Sequence, residues 1–197
     1  MRRFVVLGHE APTTPEFSLD DLPGAGRLDA LCRCVTSAFC LSHAIREDVR
    51  VELVLADRYT VRFEGRELRR LNPDERSTAA LVRTALEHRE GAIGAMEANS
   101  SPGVYIGKRN GEAVLREAAS EATLLALRED GDAVVDAEPP ADAAFVLSDH
   151  REFADREREL LAEHADRHVS LGPRALHADH AITVAHNWLD TDGFRRY

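Results

Sequence analysis

Short apolar runs alternate with amphipathic stretches along this chain of 197 residues, and that alternation limits the folds it can adopt. Residues 4–7 and 144–147 are short apolar runs typical of buried strands, whereas apolar residues at helical spacing in residues 28–45 predict an amphipathic helix. Strands that alternate with helices favour an α/β fold. We therefore predict a single α/β domain spanning residues 1–197, with a mostly parallel sheet flanked by helices.

Turn and capping signals give the boundaries of further elements. Residues 49–55 and 59–63 are alternating strands, and the short link between them predicts a hairpin. A second helix is predicted to begin with Asn72 as its cap and Pro73 at its first helical position, and to end near His88. Other segments are predicted as a turn at 99–103, helices at 111–120 and 153–165, and an acidic link at 129–142.

The charge composition is unusual, because only Lys108 among 25 basic residues is lysine and the net charge is −10. A net negative charge taken alone argues against a nucleic-acid partner. Adaptation to high intracellular salt offers another explanation, in which carboxylates keep the surface hydrated and the salt screens their repulsion. We favour this second explanation, which leaves RNA binding by a local arginine patch possible.

The cysteine content and the hydropathy of the chain indicate its cellular compartment. Cys32, Cys34 and Cys40 are odd in number and lie close together on one predicted helix, which favours packed thiols in a reducing cytoplasm over a disulfide framework. No apolar run approaches the roughly 20 residues that a membrane span needs. We therefore expect a cytoplasmic protein with no membrane partner.

Several common catalytic motifs do not occur in the sequence. It has no dinucleotide-binding or phosphate-loop glycine pattern and no Gly-x-Ser-x-Gly elbow. His177, His180 and His186 suggest a metal site, but neither a cysteine nor a paired carboxylate completes the set at the usual spacing. We interpret these histidines as polar loop residues and a helix-surface imidazole, and we expect no metal.

Two segments are candidates for a functional site. Small and polar residues follow the apolar runs that end near 147 and 170, as in ligand sites at the carboxyl ends of parallel strands. Arg27, Asp29 and Arg33 follow a glycine-containing loop, where they could bind an anionic substrate and accept a proton. The alternative is that Asp29 caps a helix and the arginines are solvated. A third stretch, residues 62–70, is an arginine-rich hairpin edge or a phosphate-binding patch.

A set of strings, in a fixed order over almost the whole chain, resembles the archaeal tRNA (pseudouridine-N1)-methyltransferases of the SPOUT class. Each string alone is a weak signal, and the resemblance rests on their combination. The strings are Gly26-Arg-Leu-Asp29, Cys32-Arg-Cys-Val-x-x-Ala-Phe39, Leu41-Ser-His-x-Ile-Arg46, Phe63-Glu-Gly-x-x-Leu68, Leu71-Asn-Pro-Asp-Glu-Arg-Ser77, Ser101-Pro-Gly-Val-Tyr105, Phe145-Val-Leu-Ser-Asp-His150, Ser170-Leu-Gly-Pro173 and His186-Asn-x-Leu-Asp190.

The resemblance implies a specific fold and cofactor. The C-terminal part would form a deep trefoil knot, and S-adenosylmethionine would bind there through backbone groups of residues 147–150, 171–173 and 177–182. Some relatives carry a cysteine near position 181, where this chain has alanine, so the resemblance implies a contact through the backbone there. The residues implied to contact the cofactor are Leu147, Ser148, Leu171, Gly172, His180 and Ala181.

The resemblance also implies a reaction, namely methylation of N1 of pseudouridine 54 in the T-loop of tRNA by a homodimeric enzyme. Asp29 would orient or accept the N1 proton, and Arg27 or Arg33 would stabilise the developing negative charge. Two alternatives stay open. One is a methyltransferase of the same fold that acts on ribosomal RNA pseudouridine or another tRNA base, and the other is a non-catalytic RNA-binding or cofactor-sensing protein.

Overall fold

The computed structural model of the protein describes residues 1–69 and 71–197, and within them eight strands form one sheet. The strands are β1 (Arg2–Gly8), β2 (Val49–Leu55), β3 (Tyr59–Glu64), β4 (Ala98–Ser101), β5 (Val104–Gly107), β6 (Thr123–Ala133), β7 (Ala143–Ser148) and β8 (Arg167–Ser170). The helices are α1 (Leu28–Phe39), α2 (Glu75–Glu87), α3 (Gly111–Glu121), α4 (Asp155–His164) and α5 (Ala178–Asp190), with short 3-10 turns at Arg89–Gly91 and Val134–Asp136.

The sheet has the strand order β4-β5-β3-β2-β1-β7-β6-β8, with β1 near its centre. β1 runs parallel to β2 and β7, and β6 runs parallel to β7 and β8. The strands β2, β3, β5 and β4 pair antiparallel in turn, beginning with the predicted hairpin between β2 and β3. The predicted α/β class with parallel strands in the second half is confirmed, and it brings the carboxyl ends of β1, β6, β7 and β8 to one edge.

Helices cover both faces of the sheet. On one face α1 packs against α2 and α5 over a large apolar core, and on the other face α3 packs against α4. In the first core, Phe4 stacks on Phe145 with ring centroids 5.3 Å apart, and the fully buried Trp188 meets Phe145 edge-on at 6.4 Å. These contacts fix α5 against the centre of the sheet. In the described part of the chain, no helix has the length and apolarity needed to cross a membrane.

The predicted helix over residues 28–45 is wrong at its C-terminal end, because α1 stops at Phe39. Cys40 is extended and bridges to Ile45, and the Arg46 N–H donates to the Phe39 carbonyl at 2.8 Å. The apolar stripe ends here, since Leu41 is 47% exposed and has no core to pack against. The interpretation of Cys32 and Cys34 as packed thiols is confirmed: both are buried, and burial raises the pKa of each thiol.

The start of α2 also differs from the prediction. Asp74, rather than Asn72, is the N-cap, and its carboxylate accepts a 2.7 Å hydrogen bond from the Ser77 N–H. Asn72 instead donates from its side chain to Ser77 Oγ at 3.3 Å, and Pro73 precedes the cap. A charged carboxylate three residues before a free N–H is the stronger cap, because it also lies at the positive end of the helix dipole.

The segment predicted as an acidic link begins as strand. β6 continues to Ala133, because a second pairing with β8 joins Asp132 to Val169 and Ala133 to Ser170. The acidic side chains of this extension are exposed to solvent, so the composition of a loop does not prevent strand pairing. Residues 98–101, part of which we predicted as a turn, form the edge strand β4.

Candidate active site

A cleft of about 530 Å³ opens at the carboxyl ends of β7 and β8, beside residues 127–130 of β6. Its walls come from the ends of these strands, from the loops that follow β7 and β8, and from the first turn of α5. This volume lies within the range of about 300 to 1,000 Å³ that is typical of small-molecule sites. The edge of the sheet at which a ligand site was predicted therefore carries a cleft of suitable size.

The cleft brings together most of the residues that the sequence singled out for a cofactor. Leu147, Ser148, Leu171, Gly172 and Ala181 all line it, and they come from three separate segments of the chain. His180 does not line it, because its imidazole lies on the outer side of α5 and is 66% exposed. The structure thus separates His180 from the other candidates.

Two features of the cleft suit a polar ligand that approaches backbone closely. Ser148 Oγ is buried and has no hydrogen-bond partner among the described residues, so a ligand could satisfy it. At Gly172, an added Cβ would meet none of the described atoms within 4 Å. The space beside Gly172 is therefore open to a ligand.

The second candidate site is an ion cluster at the start of α1. Arg27 donates to both carboxylate oxygens of Asp29, at 3.0 and 3.1 Å, and Arg33 Nη1 donates to Asp29 Oδ2 at 3.0 Å. Arg27 adopts a left-handed backbone with φ of 60°, directly after Gly26 with φ of 62°. A side chain at Gly26 would collide with the Glu10 backbone, so this tight entry needs glycine.

Asp29 does not cap α1 as our alternative required, although Arg27 and Arg33, which pair with it, stay partly exposed. Asp29 lies inside the first turn of α1, the N-cap position belongs to Arg27, and no side-chain cap bond forms. Burial by itself raises the pKa of Asp29, but the hydrogen bonds from Arg27 and Arg33 outweigh it, so the pKa lies below its usual range. A carboxylate stabilised in this way is a weak base that holds two guanidinium groups in place.

Sequence reasoning missed Asp179, which connects the cluster to the cleft. Arg33 Nη1 donates to Glu75 at 2.9 Å, and Arg33 Nε lies 3.5 Å from Asp179 Oδ2. Asp179 is buried in the first turn of α5, and its neighbours Ala178 and Ala181 line the cleft. The available signal was an acidic residue just before apolar residues at helical spacing, but the sequence does not show which arginine it meets.

The histidines and the third arginine stretch also have defined positions. His186 is buried rather than on the helix surface as predicted, because its ring packs edge-on against Phe4 at 4.9 Å. Across residues 1–69 and 71–197, no group of three or more His, Cys, Asp or Glu side chains is arranged to hold a metal ion. In the 62–70 stretch, Arg62 pairs with Glu97 at 2.9 Å and lies over the Tyr105 ring, while Arg70 lies outside the described residues.

Comparison with known proteins identifies relatives along the full chain. A family profile described as "Putative SAM-dependent RNA methyltransferase" matches residues 1–194. A tRNA (pseudouridine(54)-N(1))-methyltransferase of Haloferax volcanii is 69% identical over 198 residues, and the match covers 100% of both chains. A protein of the same name from Haloarcula marismortui is 67% identical, again over 100% of both chains.

The fold also resembles that of a solved structure. Archaeoglobus fulgidus Nep1 bound to S-adenosylhomocysteine aligns with a TM-score of 0.68 over 95% of this chain and 96% of that one, at 15% sequence identity. At this identity the likeness establishes a shared fold, independently of the sequence matches.

Proposed function

The chain belongs to the SAM-dependent RNA methyltransferase family, and on that premise we propose that it methylates N1 of pseudouridine 54 in tRNA. The product would be N1-methylpseudouridine. Relatives that share more than half of their residues with this chain over its full length carry this name, which supports the same substrate here. The observation that carries the proposal is the contact between Arg33 of the arginine cluster and Asp179 in the first turn of α5. That turn also lines the cleft.

S-adenosylmethionine is the cofactor, and the cleft fits it. Leu147, Ser148, Leu171, Gly172 and Ala181 would hold it, with the backbone at Gly172 close to the ligand and the unpaired Ser148 hydroxyl available as donor or acceptor. The cofactor supplies an activated methyl group on a sulfonium, so the protein has mainly to bind and align the two reactants. His180 lies outside the cleft, so we assign it no contact with the cofactor.

The arginine cluster would act on the pseudouridine. N1 of pseudouridine carries a proton that must leave before or during methyl transfer, and negative charge develops on the base. Arg27 and Arg33 are placed to stabilise that charge and a nearby phosphate. We assign Asp29 the role of holding both guanidinium groups and orienting the N1 proton, because its lowered pKa makes it a weak base.

Three further proposals follow from the resemblance to the SPOUT class. The single domain is knotted in its C-terminal part, around the segments that line the cleft. Two copies associate, with the cofactor sites near the interface between them. The enzyme works in the cytoplasm, where tRNA is modified and where the free thiols of Cys32 and Cys34 stay reduced.

Nucleoside analysis of RNA from a strain that lacks this gene tests the proposal. We expect mass spectrometry to show loss of N1-methylpseudouridine from purified tRNA and its recovery when the wild-type gene is returned. Persistent N1-methylpseudouridine in tRNA would contradict the assignment. Loss from ribosomal RNA alone would favour the alternative substrate, and unchanged RNA together with cofactor binding would favour a sensor.

A further inference from the structure

His9 lies between two carboxylates at the end of β1, beside the cleft. Its Nδ1 is 2.9 Å from Asp149 Oδ1, and its Nε2 is 3.0 Å from Glu157 Oε2. The imidazole is 17% exposed, the Asp149 carboxylate is 1% exposed, and the Glu157 carboxylate is 21% exposed. Both ring nitrogens are therefore engaged, one by Asp149 directly after β7 and the other by Glu157 in the first turn of α4.

The two carboxylates anchor opposite ends of that connection. Asp149 also accepts hydrogen bonds from the backbone N–H groups of His9, at 2.8 Å, and Arg151, at 2.9 Å. Glu157 accepts from the Ala154 N–H at 2.7 Å, at the start of α4. His9 thus bridges the beginning and the end of segment 149–154, most of which lines the cleft.

We infer that His9 is a positioning residue that holds segment 149–154 in the shape needed to bind the methyl donor. The inference rests on the proposed function, because it takes the cleft to be the cofactor site. His9 does not line the cleft itself, so it acts through Asp149 and Glu157. A bridge with an acceptor at each end needs a donor on both ring nitrogens, which only the protonated imidazole provides.

The electrostatic surroundings favour that protonated form. Burial by itself lowers the pKa of His9, but the hydrogen bonds to Asp149 and Glu157 outweigh it, so the pKa is raised above its ordinary value. Other charged or titratable side chains lie nearby and contact one another. His150 lies 3.5 Å from Asp149, and Glu10 contacts both His150 and Arg151.

The consequence is a pH dependence with a defined sign. Below about pH 6.5 the bridge is fully formed, and it is lost as the pH rises through the elevated pKa of His9. Affinity for the cofactor should therefore decline as the pH rises above this range. His150 and His177 also line the cleft, so the variants must isolate the contribution of His9.

Calorimetry with S-adenosylhomocysteine from pH 5.5 to 8.5 tests the inference on the full-length protein. At pH 6 we expect His9→Gln to bind about tenfold more weakly than the wild type and to lose most of its pH dependence. His9→Lys keeps a positive charge at every pH in this range and should bind better than His9→Gln, with a flat profile. His43→Gln, a substitution of an exposed histidine that does not line the cleft, is the matched control and should keep the wild-type profile.

Amide hydrogen exchange separates this inference from the proposed function. Faster exchange in residues 149–154 of His9→Gln is expected whether or not the ligand binds, with other segments unchanged. If the wild type fails to bind the ligand while this exchange difference appears, the proposed function fails and the positioning role stands. Wild-type affinity, pH profile and exchange in His9→Gln would overturn the inference. Should that variant not fold, Glu157→Ala removes one acceptor of the bridge and gives the same readouts.

Discussion

Arg33 Nε lies 3.5 Å from Asp179 Oδ2, and this contact connects the start of α1 to the first turn of α5. Through it, the groups proposed to act on the RNA base are held against the helix that closes the cofactor cleft. The same guanidinium also reaches Asp29 and Glu75, so its planar fork is fixed by carboxylates from separate helices. Geometry of this kind fixes the distance between two reactants, which a transfer reaction requires.

Arg33 and Arg27 should differ in their contribution to stability. Lysine at position 33 cannot reproduce a planar guanidinium that meets Asp29, Glu75 and Asp179. Arg33→Lys should therefore lower the melting temperature by a few degrees and reduce kcat/KM for tRNA by about a hundredfold. Arg27 is 41% exposed and pairs with Asp29. Arg27→Lys should therefore keep the wild-type melting temperature while kcat/KM falls. Wild-type kcat/KM in both variants would exclude a catalytic role for the cluster.

Asp29 should affect turnover more than cofactor binding. We expect Asp29→Asn and Asp29→Ala to bind S-adenosylhomocysteine as the wild type does, while kcat for tRNA falls by about a hundredfold because the guanidinium groups lose their anchor. Since the pKa of Asp29 is lowered, it should stay ionised across pH 5 to 9 and add no limb to the wild-type pH–rate profile. Full activity of Asp29→Ala would rule out both the anchoring role and the proton role.

The sequence predicted correctly those elements whose structure depends on residues close together in the chain. The apolar runs of β1 and β7 and the hairpin between β2 and β3 depend on neighbouring residues alone, and the structure contains all of them. The end of α1 depends on whether Leu41 finds a core to pack against, which only the tertiary structure decides. The contact of Arg33 with Asp179 joins residues far apart in sequence. It is set by how α5 returns to the sheet, and no local pattern encodes it.

Gly172 offers a test of the cleft that separates binding from folding. An added methyl group meets no described atom within 4 Å and the backbone is not left-handed, so Gly172→Ala should keep the wild-type melting temperature. If the ligand passes close to this backbone, the same methyl group should weaken S-adenosylhomocysteine binding by about tenfold.

Gly94 provides the opposite control for that experiment. Its φ is +60° and it does not line the cleft, so Gly94→Ala should strain the backbone and lower the melting temperature without changing affinity. Differential scanning fluorimetry and calorimetry give the two readouts. Unchanged affinity in Gly172→Ala would place the ligand elsewhere.

His186 should make the protein sensitive to acid. Burial lowers the pKa of its imidazole to about 4, since the ring is enclosed and lies near Arg46 and Arg2. The neutral ring fits its surroundings: Arg2 donates to Nδ1 at 3.0 Å, and Nε2 donates to the Ala38 carbonyl at 3.0 Å. The unfolded chain takes up a proton near pH 6.5 and the folded protein does not, so the free energy of unfolding should fall as the pH drops from 6.5 to 4, by about 3 kcal/mol.

Urea unfolding at several pH values measures that loss for the wild type and for His186→Gln. Glutamine does not titrate, so the variant should be less stable at pH 7, because the buried ring contacts are gone, and should lose less stability on acidification. The difference in unfolding free energy between the two proteins should therefore shrink towards pH 4. His43→Gln, which removes an exposed histidine, should follow the wild-type curve and so controls for the general loss of ion pairs in acid. A constant difference between wild type and His186→Gln from pH 7 to 4 would show that His186 takes up its proton equally in the folded and unfolded states.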